Sequence, residues 1–107
     1  MKNIYLIVFL GGLLQAQPAY AVTDGNELLN WCKRDSGSYS TCLAYVAGAI
    51  EMRQEWSLEC PVPNGLKWGQ SVAIIEKYMS DFPERRHLPA TTLIHDALAR
   101  AYPCKKQ

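Results

Sequence analysis

STCLAYVAGAIEMRQEW, residues Ser40–Trp56, is followed three residues later by CPVPNG, residues Cys60–Gly65. The first stretch has no proline. Its Leu43, Val46 and Ile50, with Tyr39 just before it, recur at helical spacing and form one apolar stripe. Ser40 offers an N-cap. The second stretch cannot continue a helix, because Pro61 and Pro63 lack amide hydrogens and Asn64-Gly65 is a turn dipeptide. In the helix middle Ala44, Ala47, Gly48 and Ala49 leave little bulk. Gly48 costs about 1 kcal/mol against Ala there, so a neighbouring element is expected to pack close to its backbone.

Working outward, Asp24-Gly25-Asn26-Glu27 reads as an N-cap with an acid three residues on. Leu28, Leu29, Trp31 and Cys32 then make a short first helix, stopped by Ser36-Gly37-Ser38. Beyond the proline loop, Val72, Ile75, Met79 and Phe82 predict a third helix over about Lys67 to Asp81, ended by Pro83. Pro89 suits the first turn of a fourth helix, which turns Ala90, Leu93, Ile94, Ala97, Leu98 and Ala101 inward and stops at Pro103. No alternating strand pattern and no repeat appears. The expected class is all-α, a small four-helix bundle.

The chain has 107 residues, 11 Lys+Arg against 10 Asp+Glu, and 49 % hydrophobic residues. That supports one domain with its own core and excludes disorder. A formal net charge of +1 without a basic run argues against a non-specific nucleic-acid binder. The N-terminus reads differently from the rest. Lys2 precedes an apolar run from Ile4 to Leu14, then Pro18 and Ala19-Tyr20-Ala21, the three parts of a secretory signal peptide. A membrane anchor would need about 20 apolar residues, and Gln15, Gln17 and Pro18 interrupt. Cleavage is expected after Ala21, leaving a domain over 22–107 with no formal net charge and no membrane anchor.

All four cysteines, Cys32, Cys42, Cys60 and Cys104, fall in that exported domain, so two disulfides are expected. No C-x-x-C pair supports a zinc site. A helix from Cys42 to Trp56 advances about 21 Å, and the four residues to Cys60 return at most about 14 Å, which disfavours Cys42–Cys60. Antiparallel neighbours favour Cys32–Cys42 with Cys60–Cys104; Cys32–Cys60 with Cys42–Cys104 stays open.

A search for chemistry finds little. His87 and His95 are too far apart in sequence for an i, i+4 metal pair and read as a solvated or capping residue and a helix-flank residue. Disulfides consume the thiols that a Cys–His nucleophile pair would need. No serine sits in a Gly-x-Ser-x-Gly setting, and Gly65-Leu66-Lys67-Trp68-Gly69 lacks the phosphate-loop pattern. Glu51 and Glu55 with Arg53 between them, and Glu59 after, read as a solvated helix face; the alternative is a site for a cation or a basic partner. Trp56, Trp68 and Tyr39 are expected to plug the bundle ends, with a role in an interface as the alternative. Asp81–His87 is either a solubilising loop or a polar recognition rim. No catalytic residue, metal site or cofactor is expected.

The order of motifs carries more. Gly25-Asn26-Glu27-Leu28-Leu29 and Cys32 lead to Cys42-Leu43-Ala44-Tyr45-Val46-Ala47-Gly48. Cys60-Pro61-Val62-Pro63 and Gly69-Gln70-Ser71-Val72 follow, then Phe82-Pro83-Glu84-Arg85-Arg86-His87, Ala90, Ala97-Leu98 and Ala101-Tyr102-Pro103-Cys104. Across the exported domain this resembles the Rap/Tai family of type VI secretion immunity proteins, with Ala44 where Gly is usual and Tyr102 where Phe is common. The resemblance implies a periplasmic, disulfide-stapled helical protein of HdeA-like fold, often a homodimer. It would bind a peptidoglycan amidase toxin and occlude its active site without catalysis of its own. The family pattern is mostly scaffold, so the four cysteines carry over and partner-contacting residues stay unassigned. A rival reading is a general periplasmic HdeA-like protein or acid-stress chaperone, for which the tail, with only Lys105 and Lys106, is poor in lysine.

Overall fold

Asp24 holds an extended backbone, and its carboxylate accepts the Glu27 N–H at 2.9 Å, starting α1 at Gly25–Cys32. An oxygen there satisfies one of the amides that a helix start leaves orphaned. A computed structural model describes residues 22–56 and 59–105; the expected signal peptide over 1–21 lies outside them. After α1 the chain reverses at Gly37, whose φ of +76° suits glycine. Ser36 braces the turn, its hydroxyl donating to the Lys33 carbonyl at 2.7 Å and accepting the Ser38 N–H at 3.1 Å.

The second helix, α2, spans Tyr39–Trp56. It begins one residue before the Ser40 expected to cap it, because the Ser38 carbonyl already accepts the Cys42 N–H. The third, α3, spans Trp68–Asp81, with the Gln70 side chain turned back to accept the Lys67 N–H at 3.0 Å. A short 3-10 turn, Pro83–Arg85, follows, and α4 spans Ala90–Ala101. Four helices with no strand among the described residues make the all-α bundle.

The apolar stripes meet in one core. Leu28 of α1, Val46 and Ile50 of α2, Ile75 and Met79 of α3, and Leu93 and Leu98 of α4 are all essentially inaccessible. Each such side chain is worth roughly 1.5–3 kcal/mol relative to exposure. The stripe of α2 sits slightly off the expected one: Cys42, Val46, Ile50 and Arg53 are buried, while Tyr39 and Leu43 are half-buried. Disulfides join Cys32 to Cys42 and Cys60 to Cys104, with Cα–Cα separations of 5.0 and 4.1 Å.

The close approach expected at Gly48 is not there. A Cβ at that exposed position meets nothing within 4 Å. Gly25 is where backbones meet: a Cβ there would lie 2.8 Å from the Arg86 carbonyl oxygen and would overlap the Leu93 side chain. Only a residue without a side chain lets α1 start against the segment before α4. Gly48→Ala, by contrast, removes a helix-interior glycine from open space. It is expected to raise the unfolding free energy by about 0.5–1 kcal/mol, read as a higher urea midpoint with an unchanged slope. A lower midpoint would mean that Gly48 has a neighbour after all.

The segment against Gly25 is Arg86–Ala90. Gly25 N–H donates to Leu88 O at 3.1 Å, Asn26 N–H to Arg86 O at 3.2 Å, and Ala90 N–H to Thr23 O at 2.8 Å, a small antiparallel bridge. The two arginines, expected on a solubilising loop or a recognition rim, turn inward instead. Arg85 pairs with Asp96 of α4 at 2.7 Å, and Arg86 Nε donates to the Met79 carbonyl at 2.9 Å. Both are half-buried, while Glu84 and His87 remain exposed. The loop is a clasp between α1, α3 and α4.

Candidate functional site

On α2, Ala49, Met52, Arg53 and Trp56 are spaced i, i+3, i+4 and i+7, so they share one face. That face looks across at Thr91, Ile94 and His95 of α4, and between the two helices lies a cleft of about 220 Å³. Its walls are mostly apolar. At its rim Trp56 is 78 % exposed and Met52 59 %, and the indole N–H donates to the Met52 sulfur at 2.9 Å.

Arg53 is the unusual member. It is only 7 % exposed, where an arginine is almost never fully buried unless paired. Its Nε donates to His95 Nδ1 at 3.1 Å and its Nη1 to the Cys60 carbonyl at 2.5 Å. An accepting Nδ1 means that the half-buried imidazole carries its proton on Nε2. The other terminal nitrogen, Nη2, is buried with no partner among the described residues. Burial pushes the guanidinium below the ordinary arginine value, though an arginine stays charged throughout the accessible range. A fixed cation with no carboxylate partner among the described residues therefore sits in the wall of an apolar cleft, its unpartnered Nη2 covered in the free protein.

A second groove, about 300 Å³, runs between α3 and α4 past Ile74, Tyr78 and Ala97. Its charges are already engaged. Lys77 pairs with Asp81 at 3.0 Å, and the Arg100 guanidinium stands 4.9 Å over the Phe82 ring. It offers shape without an unmet polar demand.

These placements correct several expectations. Trp56 does not plug the bundle but stands free, and Trp68 is 41 % exposed; Tyr39 is half-buried, with Arg34 5.5 Å over its ring. The row Glu51, Arg53, Glu55 is not one solvated face. Both acids are exposed, whereas Arg53 lies three residues beyond Ile50 and seven beyond Val46, on the buried stripe. That spacing is the signal by which the sequence could have revealed it. No group of three metal-ligating residues comes together among the described residues. His87 is exposed on the clasp and His95 is engaged with Arg53, so the two histidines form no site together. The four cysteines are all in disulfides.

The family model of Rap1a immunity proteins matches residues 24–104. The chain belongs to this family. No curated protein and no solved structure matches it. For a Rap1a immunity protein the partner is a toxin protein, and the matched span runs from the cap of α1 to the last bridged cysteine. It takes in all four helices, both disulfides and the α2–α4 cleft. None of the described helices is long and apolar enough to cross a membrane.

Proposed function

We propose that this chain is a periplasmic immunity protein that neutralises a peptidoglycan amidase effector of a type VI secretion system. It is exported by the segment 1–21, folds in the oxidising compartment where its two bridges form, and binds the amidase so that the active site is covered. Steric occlusion needs no chemistry from the inhibitor, so it requires no catalytic residue, metal or cofactor of this chain. The observation that carries the reading is the Rap1a family match over residues 24–104. The alternation of charged exposed surface with one apolar cleft suits a protein that meets one partner by shape and local charge.

The test is protection. A peptidoglycan amidase effector, sought first among the genes neighbouring this one, is directed to the periplasm with and without the full-length protein. Cells with the amidase alone are expected to lyse, and co-expression is expected to restore growth. Co-expression with 1–21 deleted should leave lysis unchanged, because the inhibitor then stays in the cytoplasm. Lysis in the presence of the exported protein, with no complex by size exclusion, would rule the reading out.

A further inference from the structure

We infer that the α2–α4 cleft is the anchor pocket for the toxin, and that it takes an apolar side chain of the toxin next to a carboxylate that pairs with Arg53. The inference rests on the immunity reading and adds to it the surface and the chemistry of the contact.

Three observations converge on this cleft. The first is the exposed pair at its rim. Trp is the side chain most enriched at interface hot spots, and here Trp56 and Met52 present a contiguous apolar surface that nothing in the described chain covers. The second is the size of the cavity. At about 220 Å³ it falls below the range of roughly 300–1,000 Å³ typical of pockets for small-molecule ligands, so it suits an inserted side chain.

The third is the charge. A buried guanidinium is costly unless paired and hydrogen-bonded. Arg53 is held by two neutral acceptors, His95 Nδ1 and the Cys60 carbonyl, and its Nη2 has no partner among the described residues. The ion pairs of the described residues use Lys77 with Asp81 and Arg85 with Asp96, so no carboxylate there neutralises Arg53. An acidic side chain brought in beside an apolar one supplies what is missing. Nη2 has essentially no accessible surface in the free protein, so the entering toxin side chain pairs with it by parting the cleft walls of α2 and α4. The two existing bonds hold the guanidinium in place and limit the ordering entropy lost. The same side chain in water would give a far weaker bond.

The experiment measures, by titration calorimetry, the affinity of the purified oxidised protein for the amidase used in the protection test. Trp56→Ala and Arg53→Met are each expected to weaken binding by about 30-fold or more, while Lys77→Ala in the α3–α4 groove stays within about two-fold. Thr91→Trp, at an exposed position of the cleft wall, fills the pocket and should weaken binding even if Arg53→Met folds poorly. Alanine scanning of acids on the amidase should find one whose loss is non-additive with Arg53→Met, the mark of a direct pair. If the wild type binds and protects but Trp56→Ala and Thr91→Trp bind equally well, the surface assignment is overturned and immunity stands. A wild type that binds no amidase removes immunity and the pocket together. If Trp56→Ala instead breaks a dimer and leaves amidase affinity intact, the cleft joins two copies and the inference is overturned.

Discussion

Replacing Cys60 and Cys104 together by alanine is expected to lower the unfolding free energy by about 4 kcal/mol, the chain-entropy value for a closed loop of this length. The bridge spans 44 residues, against 10 for Cys32–Cys42, for which the same relation gives about 2.7 kcal/mol. The difference has a structural side too. The Cys60 carbonyl accepts from buried Arg53, so letting that residue move also unsettles a buried charge. Urea unfolding of the two double variants, oxidised and monomeric, reads the effect. Equal losses would show that loop closure is not what the longer bridge contributes. Non-reducing peptide mapping of the wild type checks the connectivity at the same time, since a peptide joining Cys32 to Cys60 would reverse the assignment.

The second large effect is at Gly25. Gly25→Ala is expected to cost about 2–3 kcal/mol, at the upper end for overpacking. One of the overlapping atoms is a backbone oxygen, which cannot rotate away as a side chain can. Relief would come from separating α1 from Arg86–Ala90, and that loses the three backbone hydrogen bonds of the clasp. For a domain of this size the fall in Tm is roughly 10–20 °C. Gly48→Ala should move the opposite way. The same substitution at two helical glycines, with opposite signs, separates close approach from helix propensity. A neutral Gly25→Ala would mean that the clasp yields freely.

Much of the bundle was legible because punctuation and period agreed. Asp24, Ser36-Gly37-Ser38, Pro61, Pro63, Pro83 and Pro89 mark ends that local chemistry enforces, and between them apolar residues recur at helical spacing. What escaped were features that need two distant segments at once. Gly48 and Gly25 look alike in sequence, and only the position of Arg86–Ala90 in space distinguishes them. Arg85 and Arg86 read as solvated because the acceptors that draw them in, Asp96 and the Met79 carbonyl, lie in other helices. Arg53 was hidden by its charged neighbours Glu51 and Glu55, although its spacing from Val46 and Ile50 places it on the core stripe. The cleft followed it into obscurity. A pocket shared by α2 and α4 has no contiguous motif, and its one conspicuous residue, Trp56, read as a plug for the bundle end.

The connections made at Thr23 and at Cys60 have a joint consequence for how the molecule comes apart. The bridge from Thr23 to Ala90 encloses α1, α2 and α3, and the disulfide from Cys60 to Cys104 encloses α3 and α4. Near the second closure the Lys105 N–H also donates to the Glu59 carbonyl. The two rings overlap on α3, like adjacent links of a chain. Every helix therefore lies inside at least one ring, but the two rings differ in strength. The ring through α3 and α4 is covalent, whereas the one through α1, α2 and α3 is closed by a backbone hydrogen bond worth about 1 kcal/mol. Partial opening, the usual entry point for proteases, is then expected to start at the hydrogen-bonded closure by Thr23 and Ala90, while the ring through α3 and α4 stays covalently shut.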